Sequence, residues 1–172
     1  MKQKILLLLL LNIALYADIT NIHSFEADFT QNITDDHNKT IHYQGHIIAQ
    51  EPQYAFWSYT KPVRKDVYIS DSKYIIVEPD LEQVIIKNIR SKFDLFALIQ
   101  HAQKIKNDKY LAHYGDTTFF ITLHKNRVAS IAYRDEFENS VTINFTNQKQ
   151  NITLNKERFE VKIPDEYDVI RE

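Results

Sequence analysis

The sequence predicts a mainly β protein of the α+β class, with about ten or eleven short strands and a single strong helix. Three observations carry this. Alternation of apolar and polar residues recurs along nearly the whole chain, as in Phe25, Ala27, Phe29 and Ile33 against Glu26, Asp28, Thr30 and Asn32. One stretch only, after Ser91, changes to helical spacing. Between Pro52 and Pro62 lies a strand with apolar groups on both faces: Tyr54 and Phe56 on one, Ala55, Trp57 and Tyr59 on the other. A sheet of so many strands curls, and its concave apolar face needs a cover. The mid-chain helix is placed to supply it, so the expected shape is a covered trough.

The chain of 172 residues suggests one domain. It starts with basic Met1 to Lys4, continues with an apolar run from Ile5 to Leu15, and reaches Ala17 before Asp18. That pattern predicts a secretory signal peptide over residues 1–17, cleaved to leave a domain of residues 18–172. The run is too short for a permanent bilayer span. There is no cysteine, so neither a lipid anchor after the apolar run nor thiol chemistry is expected. A formal charge of −2 argues against a general nucleic-acid binder. The two glycines, Gly45 and Gly115, leave no basis for a phosphate cradle or a nucleophile elbow.

In chain order, the strand beginning at Phe25 ends at a polar turn, Asp35 to Lys39. Ile41, Tyr43, Gly45, Ile47 and Ala49 then alternate against His42, Gln44 and His46, closing a hairpin with one wet face. The aromatic strand follows. Strands at Asp66–Ser70, Tyr74–Val77 and Val84–Ile89 complete a meander with short connections. Leu95, Leu98, Ile99, Ala102 and Ile105 define the helix, with Ser91 as its cap and Asp94 three residues on. Five more alternating runs follow: Tyr110–Tyr114, Thr117–Leu123, Arg127–Tyr133, Ser140–Thr146 and Arg158–Ile163.

Seven histidines raise a metal site. His42 and His46 lie about 13 Å apart along one strand, too far to share an ion. The acid pairs Asp35/Asp36 and Asp135/Glu136 fall in turns, where solvated carboxylates are ordinary. No metal, cofactor or enzyme activity is expected. Asn38-Lys39-Thr40 is a glycosylation triplet in an exposed turn, with Asp36 two residues before the asparagine, making Asn38 a candidate acceptor.

The ordered set Phe25-x-Ala27-x-Phe29-x-Gln31, Gly45, Pro52-x-x-x-Phe56-Trp57-x-Tyr59, Pro62, Ser70-Asp71 and Pro79 to Gln83 resembles the LolA family of periplasmic outer-membrane lipoprotein carriers. Asp135, Ile143-x-Phe145, Phe159 and Pro164 to Val169 continue the match. The resemblance implies a half-open antiparallel β-barrel with a helical lid over a cavity for acyl chains. It implies acylated lipoproteins as cargo, an inner-membrane ABC transporter as donor, and an outer-membrane receptor or the membrane itself as acceptor. It also implies a monomer in the periplasm. The cavity residues expected are Phe29, Tyr43, Ile47, Trp57 and Tyr59 from the sheet, and Leu95, Phe96, Leu98 and Ile99 from the lid. Val141, Ile143 and Phe145 are added from the later strands. The family's arginine before the proline of the aromatic strand, which helps hold the lid, is Glu51 here, so either the latch differs or its basic partner comes from elsewhere, as from a Lys or Arg on the lid side that reverses the pair. The alternative reading is a periplasmic sensor or interaction module of the same half-barrel shape, binding lipid or peptide.

Overall fold

The computed structural model describes residues 21–70, 73–88 and 94–171. The signal peptide expected at residues 1–17, the Asp71-Ser72 turn and the Ser91 cap lie outside them. Twelve strands form one sheet in the described residues. The first six are β1 (Ser24–Thr34), β2 (Thr40–Gln50), β3 (Tyr54–Lys61), β4 (Lys65–Ser70), β5 (Lys73–Glu78) and β6 (Gln83–Asn88). Helix α1 (Leu95–Gln100) follows, then β7 (Gln103–Lys106), β8 (Lys109–Tyr114), β9 (Thr117–His124), β10 (Arg127–Arg134), β11 (Ser140–Gln150) and β12 (Asp168–Arg171). Their order across the sheet is β12-β6-β5-β4-β3-β2-β1-β11-β10-β9-β8-β7. Every neighbouring pair is antiparallel except β12, which runs parallel to β6. The chain belongs to the mainly β class expected, as an open, curled sheet.

The three longest strands, β1, β2 and β11, stand side by side at the middle. The period of two aims Phe25, Ala27 and Phe29 of β1 into the core, with Ile47 and Ala49 from β2 and Val141, Ile143 and Phe145 from β11. Gly45 lies between Phe29 and Tyr59 in register. A Cβ there would stand 2.1 Å from the Ser58 carbonyl oxygen and 2.7 Å from Phe29 Cζ. The absent side chain lets the Phe29 ring lie across the strand and meet Trp57 and Tyr59 edge-on, each at 5.1 Å between centroids.

The opposite face of β3 is covered by other means. Phe56 stacks on Tyr68 at 4.6 Å, and Tyr54 meets Phe159 at 5.8 Å. Phe159 belongs to the segment after β11, which crosses the convex side before β12 joins the β6 edge. Arg158 of that segment donates to Glu26 at 3.0 Å, and Lys149 stands 3.7 Å from the same carboxylate. His46 bridges Glu26 and Asp28 there, and Asn147 donates to Asp28 at 2.7 Å.

Three expectations are corrected. The helix is one and a half turns long, not three, and residues from Gln103 onward are strand. Ile105, expected on the helical stripe, is exposed on β7 at the sheet edge. Asp94 is the cap of α1, its carboxylate accepting from the amides of Phe96 at 2.9 Å and Ala97 at 3.1 Å. The expected strand at Arg158–Ile163 is a 3-10 turn, Lys156–Phe159, followed by irregular chain.

Candidate functional site: an apolar cavity under a latched helix

The concave side of the sheet holds a cavity of about 300 Å³. Its walls are Gln31 of β1, Trp57 and Tyr59 of β3, Val67 and Ile69 of β4, and Tyr74 of β5. Phe119 of β9, Ile131 and Tyr133 of β10, and Ile143 of β11 close the other side, and Leu95 and Leu98 of α1 form the roof. Among the described residues, no charged side chain lines it. Burial pushes the phenols of Tyr59, Tyr74 and Tyr133 above their ordinary range, so all three stay neutral at physiological pH. Lys65 stands at the edge, its Nζ 4.8 Å from the ring centre of Tyr59.

Five of the twelve residues expected at the cavity line it: Trp57, Tyr59, Leu95, Leu98 and Ile143. Phe29, Ile47, Phe96, Ile99, Val141 and Phe145 are buried in the packed core instead. Tyr43 is half-buried beside the site, its ring edge-on to Tyr59 at 5.7 Å. Gln31, Val67, Ile69, Tyr74, Phe119, Ile131 and Tyr133 were not anticipated. Gln31 alone left a signal, as a polar residue in the inward series of β1.

Helix α1 is held at both ends. At its start stands the Asp94 cap. At its end, Gln100 donates to Glu51 Oε1 at 2.6 Å, and the other oxygen of Glu51 lies 2.7 Å from His23 Nδ1. Glu51 thus accepts where the family's arginine would donate, and its helix partner is a neutral amide. Chiefly the His23 hydrogen bond, and then that of Gln100, hold the Glu51 carboxyl below the ordinary glutamate range. Behind the roof lies a small void of about 30 Å³ that shares Trp57, Ile69 and Leu95 with the main cavity.

Two other features lie away from the cavity. Asn38 is exposed in the β1/β2 turn with φ of 61°. In the same turn Asp35, Asp36 and His37 place ligand atoms within 4.8 Å of one another. Asp35 Oδ1 already accepts from the amides of His37 and Lys39, the ordinary bonding of a carboxylate that shapes a turn.

An open β trough with a neutral, apolar interior under a short helical roof defines a protein suited to sheltering hydrophobic ligands. Residues 20–108 match the family model for outer membrane lipoprotein carrier protein LolA. An outer-membrane lipoprotein carrier protein of Campylobacter jejuni is 39% identical over 171 residues, covering 99% of this chain and 100% of that one. That of Wolinella succinogenes is 32% identical, covering 91% of each. The chain belongs to the LolA family. Solved structures agree on the fold. An uncharacterized conserved protein from Thermus thermophilus aligns with a TM-score of 0.56 at 10% identity, over 91% of this chain and 94% of that one. A LolA superfamily protein from Nitrosomonas europaea aligns with a TM-score of 0.53 at 9% identity, over 84% and 94%.

Proposed function

We propose that this protein is a periplasmic carrier of acylated lipoproteins. It takes them from an inner-membrane ABC transporter, shelters their acyl chains, and delivers them to a receptor or membrane surface at the outer membrane. One observation carries the reading within this family: an uncharged cavity whose roof is a helix held by a few hydrogen bonds. Burying one long acyl chain is worth about 10 kcal/mol at 0.8 per CH₂. A cavity of about 300 Å³ sits at the small end of ligand pockets, so several chains require the roof to move. Glu51 serves as the latch, releasing Gln100 when cargo displaces α1. The carrier works as a monomer binding one cargo molecule, without a cofactor and without catalysis. The sensor-module alternative has no comparable support, since the named relatives over the full chain are carriers.

The test uses membrane vesicles holding the lipoprotein-releasing transporter, ATP and a labelled lipoprotein. Label should leave the membrane as a soluble one-to-one complex only when the protein is added. Trp57→Glu and Leu95→Glu, checked for native circular dichroism, should abolish release by placing a charge in the wall. Retained release in both folded variants, or no release by wild type with an active transporter, would overturn the reading.

A further inference from the structure

We propose that Gln31 forms a polar subsite in the cavity that takes the neutral carbonyl of an acyl ester or amide. The proposal rests on the carrier reading and adds which chemical group of the cargo is recognised, and where.

Gln31 occupies an inward position of β1 between Phe29 and Ile33, where alternation calls for an apolar side chain. It is 7% exposed and, among the described residues, is the only one lining the cavity that is neither aliphatic nor aromatic. Its Oε1 accepts from the Tyr59 hydroxyl at 3.0 Å. Its Nε2, with two hydrogens to give, has no protein partner among the described residues. Among the described residues it is not one of the fully enclosed unpaired atoms, so it opens onto the cavity, where a leucine or methionine of similar size would present no donor. The Tyr59 hydroxyl accounts for the amide oxygen and leaves the nitrogen to the cavity.

The surroundings select the class of acceptor. Hydrocarbon offers none. A free carboxylate or a phosphate would bring a full charge among neutral phenols, and the Lys65 ammonium at the cavity edge is already seated over the Tyr43 and Tyr59 rings. An ester or amide carbonyl is neutral and accepts one or two hydrogen bonds. The site also gives the chain a direction. Gln31 pairs in register with Tyr43 and Ile143, three residues from the β1/β2 turn. Glu51, which holds the end of α1, lies beyond the far end of β2. The carbonyl is held toward the turn end, and the tail extends past Trp57 and Ile69 toward Leu95.

The test needs two probes of equal chain length, dioctanoylglycerol and the matching dioctyl ether, titrated against the fluorescence of Trp57, the chain's single tryptophan. Wild type should bind the ester about five- to tenfold more tightly, the worth of one hydrogen bond to an otherwise unpaired donor. Gln31→Leu, made together with Tyr59→Phe so that no freed hydroxyl replaces the amide, should lose that preference while keeping or improving ether affinity. Gln31→Met in place of Gln31→Leu gives the same comparison should leucine fail to fold. Equal wild-type affinity for the two probes overturns the subsite and leaves the carrier reading intact. An ester preference that survives in either folded double variant overturns it likewise. Failure of both probes to bind wild type overturns the subsite and the carrier cavity together.

Discussion

Cutting the bond between Gln100 and Glu51 should open the lid without unfolding the protein. At 2.6 Å the contact is a charge-assisted hydrogen bond, worth about 1.5–3 kcal/mol when shielded from water. The Glu51 side chain is 33% exposed, so solvent screening lowers this to about 1 kcal/mol. That is roughly a fivefold change in the ratio of open to closed lid. If the closed lid dominates, Gln100→Ala should tighten binding of a fluorescent fatty-acyl probe by up to about fivefold. The melting temperature should fall by about 2–4 °C. Glu51→Ala also breaks the His23 contact, so its melting temperature should fall further, yet its probe affinity should match that of Gln100→Ala. The double variant should bind the probe like either single one, because both remove the same bond. A melting temperature that falls while probe affinity stays put would refute the latch, making the bond a structural one only. Gains that add in the double variant would refute it too. The sign with pH follows from the lowered Glu51 value. Stability from the carboxylate is present at and above neutrality and is lost as pH falls below about 4.5, through the folded-state value. Neutral conditions leave the latch intact.

Three further outcomes are expected. Gly45→Ala should destabilise severely, by about 3 kcal/mol or more in a thermal melt, because its Cβ would overlap the Ser58 carbonyl and the Phe29 ring. Arg158→Ala should raise hydrogen exchange across residues 155–171 and leave β1 and β11 protected; in wild type the same release should appear in acid. Glu26 is held below its ordinary value chiefly by its hydrogen bond from Arg158, so its contribution is lost as pH drops below about 4.5. Gln50→Met should raise the melting temperature by a few degrees, since Gln50 Oε1 is a buried acceptor without a partner among the described residues; an unchanged or lower value would show that the amide is satisfied.

The fold was legible wherever strands are long and one-sided. β1 reads directly from Phe25, Ala27 and Phe29 against Glu26, Asp28 and Thr30, because one face is core and the other meets water. β7 and β12 left no such mark. Each has four exposed residues at an edge of the sheet, where no buried face imposes alternation. Helical spacing overstates the length of α1 because Ala102 and Ile105 fall on it by position alone. Glu51 was legible as a departure, but its partners Gln100 and His23 were not, being set by how α1 lies over the β2/β3 turn. The cavity was harder still. Alternation separates inside from outside, but it does not separate packed core from cavity wall. Phe145 and Ile143 share a face of β11, yet only Ile143 reaches the cavity. Depth depends on the curl of the sheet and on where six helical residues lie above it. Val67, Ile69 and Tyr74 carry no mark of the cavity in the sequence because β4 and β5 have apolar residues on both faces.

On the proposed reading, the same roof answers the difficulty of a carrier that must let go. If acyl chains entered an empty, rigid cavity, each would gain about 10 kcal/mol, and several together would never leave. Here the closed helix already buries Phe96, Leu98 and Ile99 at 3–5% exposure. Each such side chain is worth about 1.5–3 kcal/mol when buried. Cargo that displaces α1 forfeits up to about 5–9 kcal/mol of those contacts, together with the Glu51 bond. Net affinity is therefore the difference between two burials of similar size, and small changes at the latch shift it. A helix of six residues suits this role, since it is too short to hold its own structure in water. Its order comes from the Asp94 cap, the Glu51 contact and the sheet beneath. Lengthening α1 by one turn with good helix formers should therefore strengthen the closed state and weaken acyl-probe binding, without any change to the cavity wall.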